Sequence, residues 1–366
     1  MVNSSINRSR IVPVQRSIVS ADALASVVAA AYGLDGVRCH LIKSAMLDTY
    51  QVTAASGPAI LRIYPASRRT EAEILAELDV LAYLHAADVS VSVPIRQRSG
   101  EQLLTIQAPE GVRCAALFTY APGRPLSQQC TPQYAHAYGQ ALAQVHTVAD
   151  TLPQLPLRPR LDLATLLDQP LAALASAFAQ RDTDWAFLRQ VAAAIRPHIA
   201  ALPTEPPCYG LCHGDAGSAN AHVTADGRLT LFDFDMCGVG WRAYDIATFL
   251  IDEPESIAAS FLEGYTAVRA LTDTELASLP LFQIVQSIWV LGLRADYIND
   301  WGSSLLSERL LNHILSFITH TMETMERGPV TLSTALSLSE ASTLISVTDS
   351  VVLLAQARLA KLPTRL

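Results

Sequence analysis

The stretch that most limits what this chain can fold into is Leu211 to Leu250, LCHGDAGSANAHVTADGRLTLFDFDMCGVGWRAYDIATFL. It holds two acidic clusters: His213-Gly214-Asp215 with Asn220 behind it, and Asp233-Phe234-Asp235. Between them, Ala221-His222-Val223 and Leu229-Thr230-Leu231-Phe232 read as short strands, and Asp226-Gly227 is a turn dipeptide that joins them. Such a hairpin returns the second cluster to the side of the first. Carboxylates brought together repel and raise one another's pKa, so a bare cluster is costly. A bound divalent cation removes the cost, and Mg²⁺ prefers one or two carboxylates together with phosphate oxygens and water. Asn220 and Asp233 suit that role, which leaves Asp215 to take a proton from an attacking hydroxyl. Asp235 has two readings, a further metal ligand or a loop-ordering acceptor. The rival chemistry is a metal-dependent hydrolase built on His213, Asp215, Asp233 and Asp235; it leaves Asn220 and the N-terminal half without a task.

With 366 residues the chain exceeds one ordinary core, and two lobes are expected. A net charge of -8 argues against a nucleic-acid partner. No apolar run reaches the ~18 residues of a membrane span, and the N-terminus has no secretory h-region. Residues 1 to 20 carry Arg8, Arg10 and Arg16 and no acid, and read as a flexible tail. Six cysteines lie scattered without metal-type pairing, as reduced residues of a cytoplasmic protein would.

Ser20 to Gly33 has a capping serine and a stopping glycine around a helical run. Strands are expected at Cys39–Ile42, Thr49–Val52, Ala59–Tyr64, Leu103–Ile106 and Ala115–Phe118, with one helix, Thr70 to His85, among them. From Tyr134 onward helices dominate: Tyr134–Val148, Leu163–Phe178, Trp185–Ile199, Ser256–Ala270 and Leu279–Ile298, with a Pro-rich linker over Thr151 to Pro159. Beyond Gly328, Ser337-Leu338-Ser339-Glu340 has a capping-box pattern and Val351 to Leu362 a strongly apolar helical one.

His213-Gly214-Asp215-x-x-x-x-Asn220, then Asp233-Phe234-Asp235, then Tyr244-Asp245-Ile246-Ala247, resemble the aminoglycoside phosphotransferase and choline kinase-like family, closest in look to its homoserine kinase-like and stress-response Ser/Thr kinase branch. The spacing of five from Asp215 to Asn220 is that of the kinase catalytic loop, where the Asp is the base and the Asn holds metal. The resemblance implies an α+β, protein-kinase-like bilobal fold. It implies an N-lobe over 21–117, a hinge over 118–123 and a C-lobe over 124–327; the tail over 1–20 and a helical C-terminal extension over 328–366 lie outside it. It implies a phosphotransferase that uses ATP and Mg²⁺ and moves the γ-phosphoryl group to the hydroxyl of a small molecule. A protein Ser/Thr kinase and a nucleotide-binding regulator without turnover are the alternatives.

By the same resemblance, Asp215 is the base and Asn220, Asp233 and Asp235 bind metal. The turn Lys43 to Asp48, which has no glycine, covers the nucleotide phosphates, with Ser44 as a hydrogen-bonding residue. Arg62 stands where a kinase has its phosphate-gripping Lys, with Glu77 as partner, and the backbone at Thr119 and Ala121 reads adenine. Asp296, Tyr297 and Asp300 are nominated for the acceptor. The partner is then a small molecule, with no nucleic acid and no membrane, and the protein a monomer or homodimer. Residue by residue, His213 reads as a structural hydrogen-bonding group, Asp245 as an anchor for loop backbone, and His146 as a cap or core residue.

Overall fold

The computed structural model describes residues 12–66 and 68–326. The extension over 328–366, with its two helical patterns, lies outside them. The chain divides into two compact units, Met1–Leu75 with Pro94–Tyr120, and Ala76–Val93 with Ala121–Leu366.

The first unit opens with α1 (Ala21–Tyr32), started by the Ser20 hydroxyl on the Ala23 N–H and stopped by Gly33 at φ 65°. An antiparallel sheet follows, made of β1 (Arg38–Ser44), β2 (Asp48–Ala54), β3 (Gly57–Ile63), β4 (Pro94–Ile95), β5 (Leu104–Ala108) and β6 (Gly111–Thr119). The order is β1-β2-β3-β6-β4, and β5 also pairs with β6. Leu24, Val28 and Tyr32, one turn apart on α1, pack with Tyr50, Val52, Leu61, Ile63 and Leu117 in the core. All five expected strands are present, four of them within two residues of their expected ends, while β6 begins four residues earlier than expected, at Gly111.

Residues 16 to 19, which the sequence places in a flexible tail, are docked. Ser17 bonds Glu110 through both its N–H and its hydroxyl, and the Val19 carbonyl accepts the Tyr50 hydroxyl. These partners lie 31 to 93 residues away, beyond the reach of any local pattern.

Helix α2 (Glu71–Ala86) occupies the expected span. Residues 76–93, assigned to the N-lobe from sequence, group with the second unit. The reason is a backbone seam: Val91 bridges Leu231, the Ser92 N–H donates to the Leu231 carbonyl, and the Leu231 N–H donates to that of Ser90.

The second unit continues with β7 (Arg124–Pro125), α3 (Pro132–Ala149), β8 (Arg160–Leu161), a wide helical turn at Ala164–Asp168 that runs into α4 (Gln169–Leu174), and α5 (Asp182–Ala200). Then come β9 (Tyr209–Cys212), β10 (Ala221–Val223), β11 (Leu229–Leu231), β12 (Gly238–Trp241) and α6 (Arg242–Leu250). It ends in α7 (Glu255–Thr266), α8 (Asp273–Asp296), α9 (Ile298–Trp301) and α10 (Glu308–Glu326). Its strands form two small three-stranded sheets, β11-β10-β7 and β8-β12-β9. Helix α8 is long and apolar enough to cross a bilayer, although the sequence shows no unbroken apolar run of that size, and 67% of its most apolar stretch is buried inside the fold. It serves as a core helix.

Candidate active site

The site is built on the segment between β9 and α6. Strands β10 and β11 pair antiparallel with Ala221 opposite Leu231, and the Phe232 N–H closes onto the Asn220 carbonyl at 3.0 Å. The connection is longer than a two-residue turn. The Gly227 N–H returns to the Thr224 carbonyl, and Gly227 takes the positive φ of 85° that closes the loop. The hairpin therefore carries Asp233 back to Asn220, as the spacing predicts.

Asn220 ties the first cluster together. Its side-chain N–H₂ donates to the Asp215 carbonyl and to Asp215 Oδ2, both at 2.8 Å. Its donor end is thus spent on Asp215, and its oxygen is the atom it can offer a cation. Asp233 sits at φ 68°, ψ 54°, a left-handed conformation that costs a non-glycine residue about 1–2 kcal/mol. Such strain gathers where function needs one side-chain direction. The short 3₁₀ turn Phe234–Met236 follows, with Asp235 buried.

The loop and this turn touch at several points. A Cβ on Gly214, which has φ +83°, would overlap the Met236 carbonyl oxygen, so glycine is required on both counts. His213 Nε2–H donates to the Phe232 carbonyl at 3.0 Å, while its Nδ1 accepts the Asp215 N–H at 3.3 Å. Its ring lies 4.2 Å from that of Phe234. His213 is therefore a buried strut, and the residue reading as a structural hydrogen-bonding group agrees with the geometry. Arg158, at the edge of the Pro-rich linker, donates to the carbonyls of Asp235 and Cys237 and holds the turn from the other side.

Beneath the loop lies a wholly buried polar column. Asp245, on α6, accepts the backbone N–H of His213 on Oδ2 (2.6 Å) and that of Gly214 on Oδ1 (2.8 Å). His146 Nε2 on α3 reaches the same Oδ2 at 3.0 Å, and His146 Nδ1 pairs with the Tyr265 hydroxyl at 2.7 Å. Burial drives the His146 pKa down to about 4, against the pull of Asp245. Burial alone would raise Asp245, but its hydrogen bond with His146, the charges nearby and the Gly214 N–H hold it below its ordinary value. The pair is thus neutral imidazole beside carboxylate: Nε2–H donates to Asp245 and Nδ1 accepts from Tyr265. Tyr138 completes the support by donating its hydroxyl to the Ala216 carbonyl at 2.9 Å.

Within this column His146 and Asp245, together with Cys212, bring three candidate ligand atoms within 4.8 Å of one another. The column's carboxylate oxygens are already taken by two amides and an imidazole, so it serves as a brace. The oxygen donors Asn220, Asp233 and Asp235 suit a hard cation far better.

The other nominated residues fall as follows. In the first unit, Ser44 ends β1 and its hydroxyl donates to Asp48 at 2.6 Å. Arg62 on β3 is buried, with its guanidinium 5.8 Å from the Tyr64 ring centre and 5.5 Å from that of Phe118. Thr119 ends β6 opposite Ala59. In the second unit, Glu77 is fully buried on α2, and the Ala121 carbonyl accepts His222 Nδ1–H at 2.8 Å. Asp296 ends α8, Tyr297 is buried at the break before α9, and Asp300 lies on α9. Helix α8 is tied to the column at its middle, where the Tyr244 hydroxyl donates to Gln286.

Sequence reasoning missed Arg158, Tyr138, Tyr265 and the role of His146. For His146 a signal existed: a histidine on the apolar face of a helix rich in buried residues needs a polar partner. Arg158 carried none.

Residues 40–278 match the model of the phosphotransferase enzyme family. The homoserine kinase of Methylorubrum populi is 28% identical over 250 residues, which cover 64% of this chain and 72% of that protein. Among solved structures, the microcompartment-associated aminopropanol kinase superposes with a TM-score of 0.71 at 22% identity, over 85% of this chain and 100% of the other. Amicoumacin kinase hAmiN, solved with AMP-PNP, Ca²⁺ and Ami, gives 0.68 at 22% identity, over 85% and 95% of the two chains. These two likenesses share the kinase-like fold expected from the sequence. With a family match running from the first sheet through the hairpin and the anchored loop, the chain belongs to the phosphotransferase enzyme family.

Proposed function

We propose that the protein is a kinase of small molecules, which uses ATP and Mg²⁺ to phosphorylate an acceptor hydroxyl. The observation that carries this reading is the Asn220 amide clasped to Asp215, with the strained Asp233 brought back beside it by the hairpin. Asp215 receives or steers the hydroxyl proton of the acceptor. In a loose phosphoryl-transfer transition state the position of this carboxylate matters more than its basicity, and the brace of Asp245, His146 and Tyr138 supplies position. The oxygens of Asn220 and Asp233, with Asp235, form a hard donor set that fits Mg²⁺. When bound, that ion neutralises charge on the phosphate oxygens of ATP. The same fold solved with AMP-PNP and Ca²⁺ in amicoumacin kinase hAmiN supports a nucleotide and a divalent cation as ligands.

Arg62, the turn that carries Ser44, and Glu77 serve the nucleotide phosphates, and the backbone at Thr119 and Ala121 serves the adenine. Asp296, Tyr297 and Asp300 serve the acceptor. The acceptor class we favour is an amino alcohol, hydroxy amino acid, sugar or aminoglycoside-like compound, since relatives of the family are named for homoserine and aminopropanol. An ADP-release assay against such a panel, with a generic protein substrate beside it, tests the reading. Acceptor-dependent ADP release with a small molecule is the expected result. Release only with the protein substrate, or none with any acceptor, contradicts it.

A further inference from the structure

Asp48 is a carboxylate in an unusual place. It opens β2 on the strand face shared with Tyr50 and Val52, and all three are wholly buried. A buried carboxylate is tolerated only when paired and hydrogen-bonded. Asp48 has a cation on each oxygen. Arg113 Nη2 donates to Oδ2 at 2.7 Å; on Oδ1 come the Ser44 hydroxyl at 2.6 Å and the guanidinium of Arg16. Arg16 Nη2 also donates to Ser44 Oγ at 3.1 Å. Ser44 and Asp48 face each other in the β1–β2 register, so these bonds close the mouth of the turn Lys43 to Asp48. Inside it, the Ala45 N–H returns to the Leu47 carbonyl at 3.0 Å.

The turn has no glycine. A glycine-rich turn brings its backbone close to phosphate because no Cβ stands in the way. A turn without glycine gains the same approach only if its one productive shape is held. Here the hold is a charge clamp, and its outer half comes from the segment before α1. We propose that Arg16 is a positioning residue for this turn, fixing Ser44 and the turn backbone for the nucleotide phosphates; the inference rests on the ATP reading above. It gives residues upstream of the first helix a part in phosphate binding, and it makes Ser44 a component of the clamp.

Arg16 can be removed without undocking its segment. Ser17 is held by Glu110 at 2.8 and 3.2 Å, the Ser17 carbonyl by Arg113 at 3.0 Å, and the Val19 carbonyl by Tyr50 at 2.6 Å. Arg16 is also the outer cation, 18% exposed where Arg113 is 1% exposed, so its loss opens the clamp at its wet side.

The test is calorimetric titration of the full-length protein with Mg-ATP and, separately, with adenosine. Arg16→Ala is expected to weaken ATP roughly tenfold, the scale of one charge-assisted hydrogen bond, and to leave adenosine unchanged. Arg16→Lys, which keeps the charge, should recover most of the loss. ATP binding by Arg16→Ala equal to wild type overturns the proposal, as does an equal loss for adenosine. A wild-type protein that binds no ATP overturns the nucleotide reading and the clamp with it.

Discussion

The Asp245 carboxylate accepts the backbone N–H of His213 at 2.6 Å, through a side chain with no exposure to solvent. Its other oxygen holds Gly214, so one residue of α6 fixes the two positions that precede Asp215. Asp245→Asn leaves an acceptor for only one of the two amides. A buried donor without a partner costs about 1–3 kcal/mol. The expected outcome is a lower unfolding midpoint together with slower turnover, and a KM for ATP close to wild type. Thermal denaturation and steady-state kinetics on the same preparation check it.

His146 makes stability depend on pH. In the unfolded chain it takes up a proton near its ordinary 6.5; folded, it does so only near 4. Between those values the unfolded state binds the extra proton, so stability present above pH ~6.5 is lost as pH falls toward 4, by up to roughly 3 kcal/mol. Asp245, held below its ordinary 3.8, adds a loss of the same sign at still lower pH. His146→Gln, which keeps a donor toward Asp245, should flatten the decline between pH 6.5 and 4. Denaturant midpoints measured across that range decide it.

Asp233 separates shape from charge. Asparagine tolerates the left-handed backbone found at φ 68°, so Asp233→Asn should fold with wild-type stability to within about 0.5 kcal/mol. It should bind ATP more weakly in Mg²⁺ and unchanged without it. If ATP affinity in the wild type were the same with and without Mg²⁺, the metal role assigned to Asp233 would fail.

Local chemistry made much of this legible in the sequence. Ser20 and Gly33 mark the ends of α1 because caps act within a few residues, and Asp226-Gly227 gives the hairpin because a turn is a local object. Asp215 and Asn220 stand out by their spacing of five on one loop, and the structure adds the bond between them. What stayed hidden were partners far apart in the chain. Asp48 meets Arg113 across 65 positions and Arg16 across 32; His146 meets Asp245 across 99. Buried charge pairs carry no periodicity, so neither partner signals the other. The docking of residues 16 to 19 and the grouping of residues 76–93 with the second unit were hidden for the same reason. Arg158 was read as part of a linker because prolines dominate the segment, while its guanidinium does the structural task.

The central claim is that Asp215, held by Asn220 and by the brace beneath the loop, handles the acceptor proton. Asp215→Ala measures it most directly, with Mg-ATP affinity and turnover determined side by side on the acceptor found by ADP release. The account predicts ATP affinity near wild type and turnover lower by at least ~10²-fold, the scale of acid–base groups. Turnover near that of the wild type would contradict it.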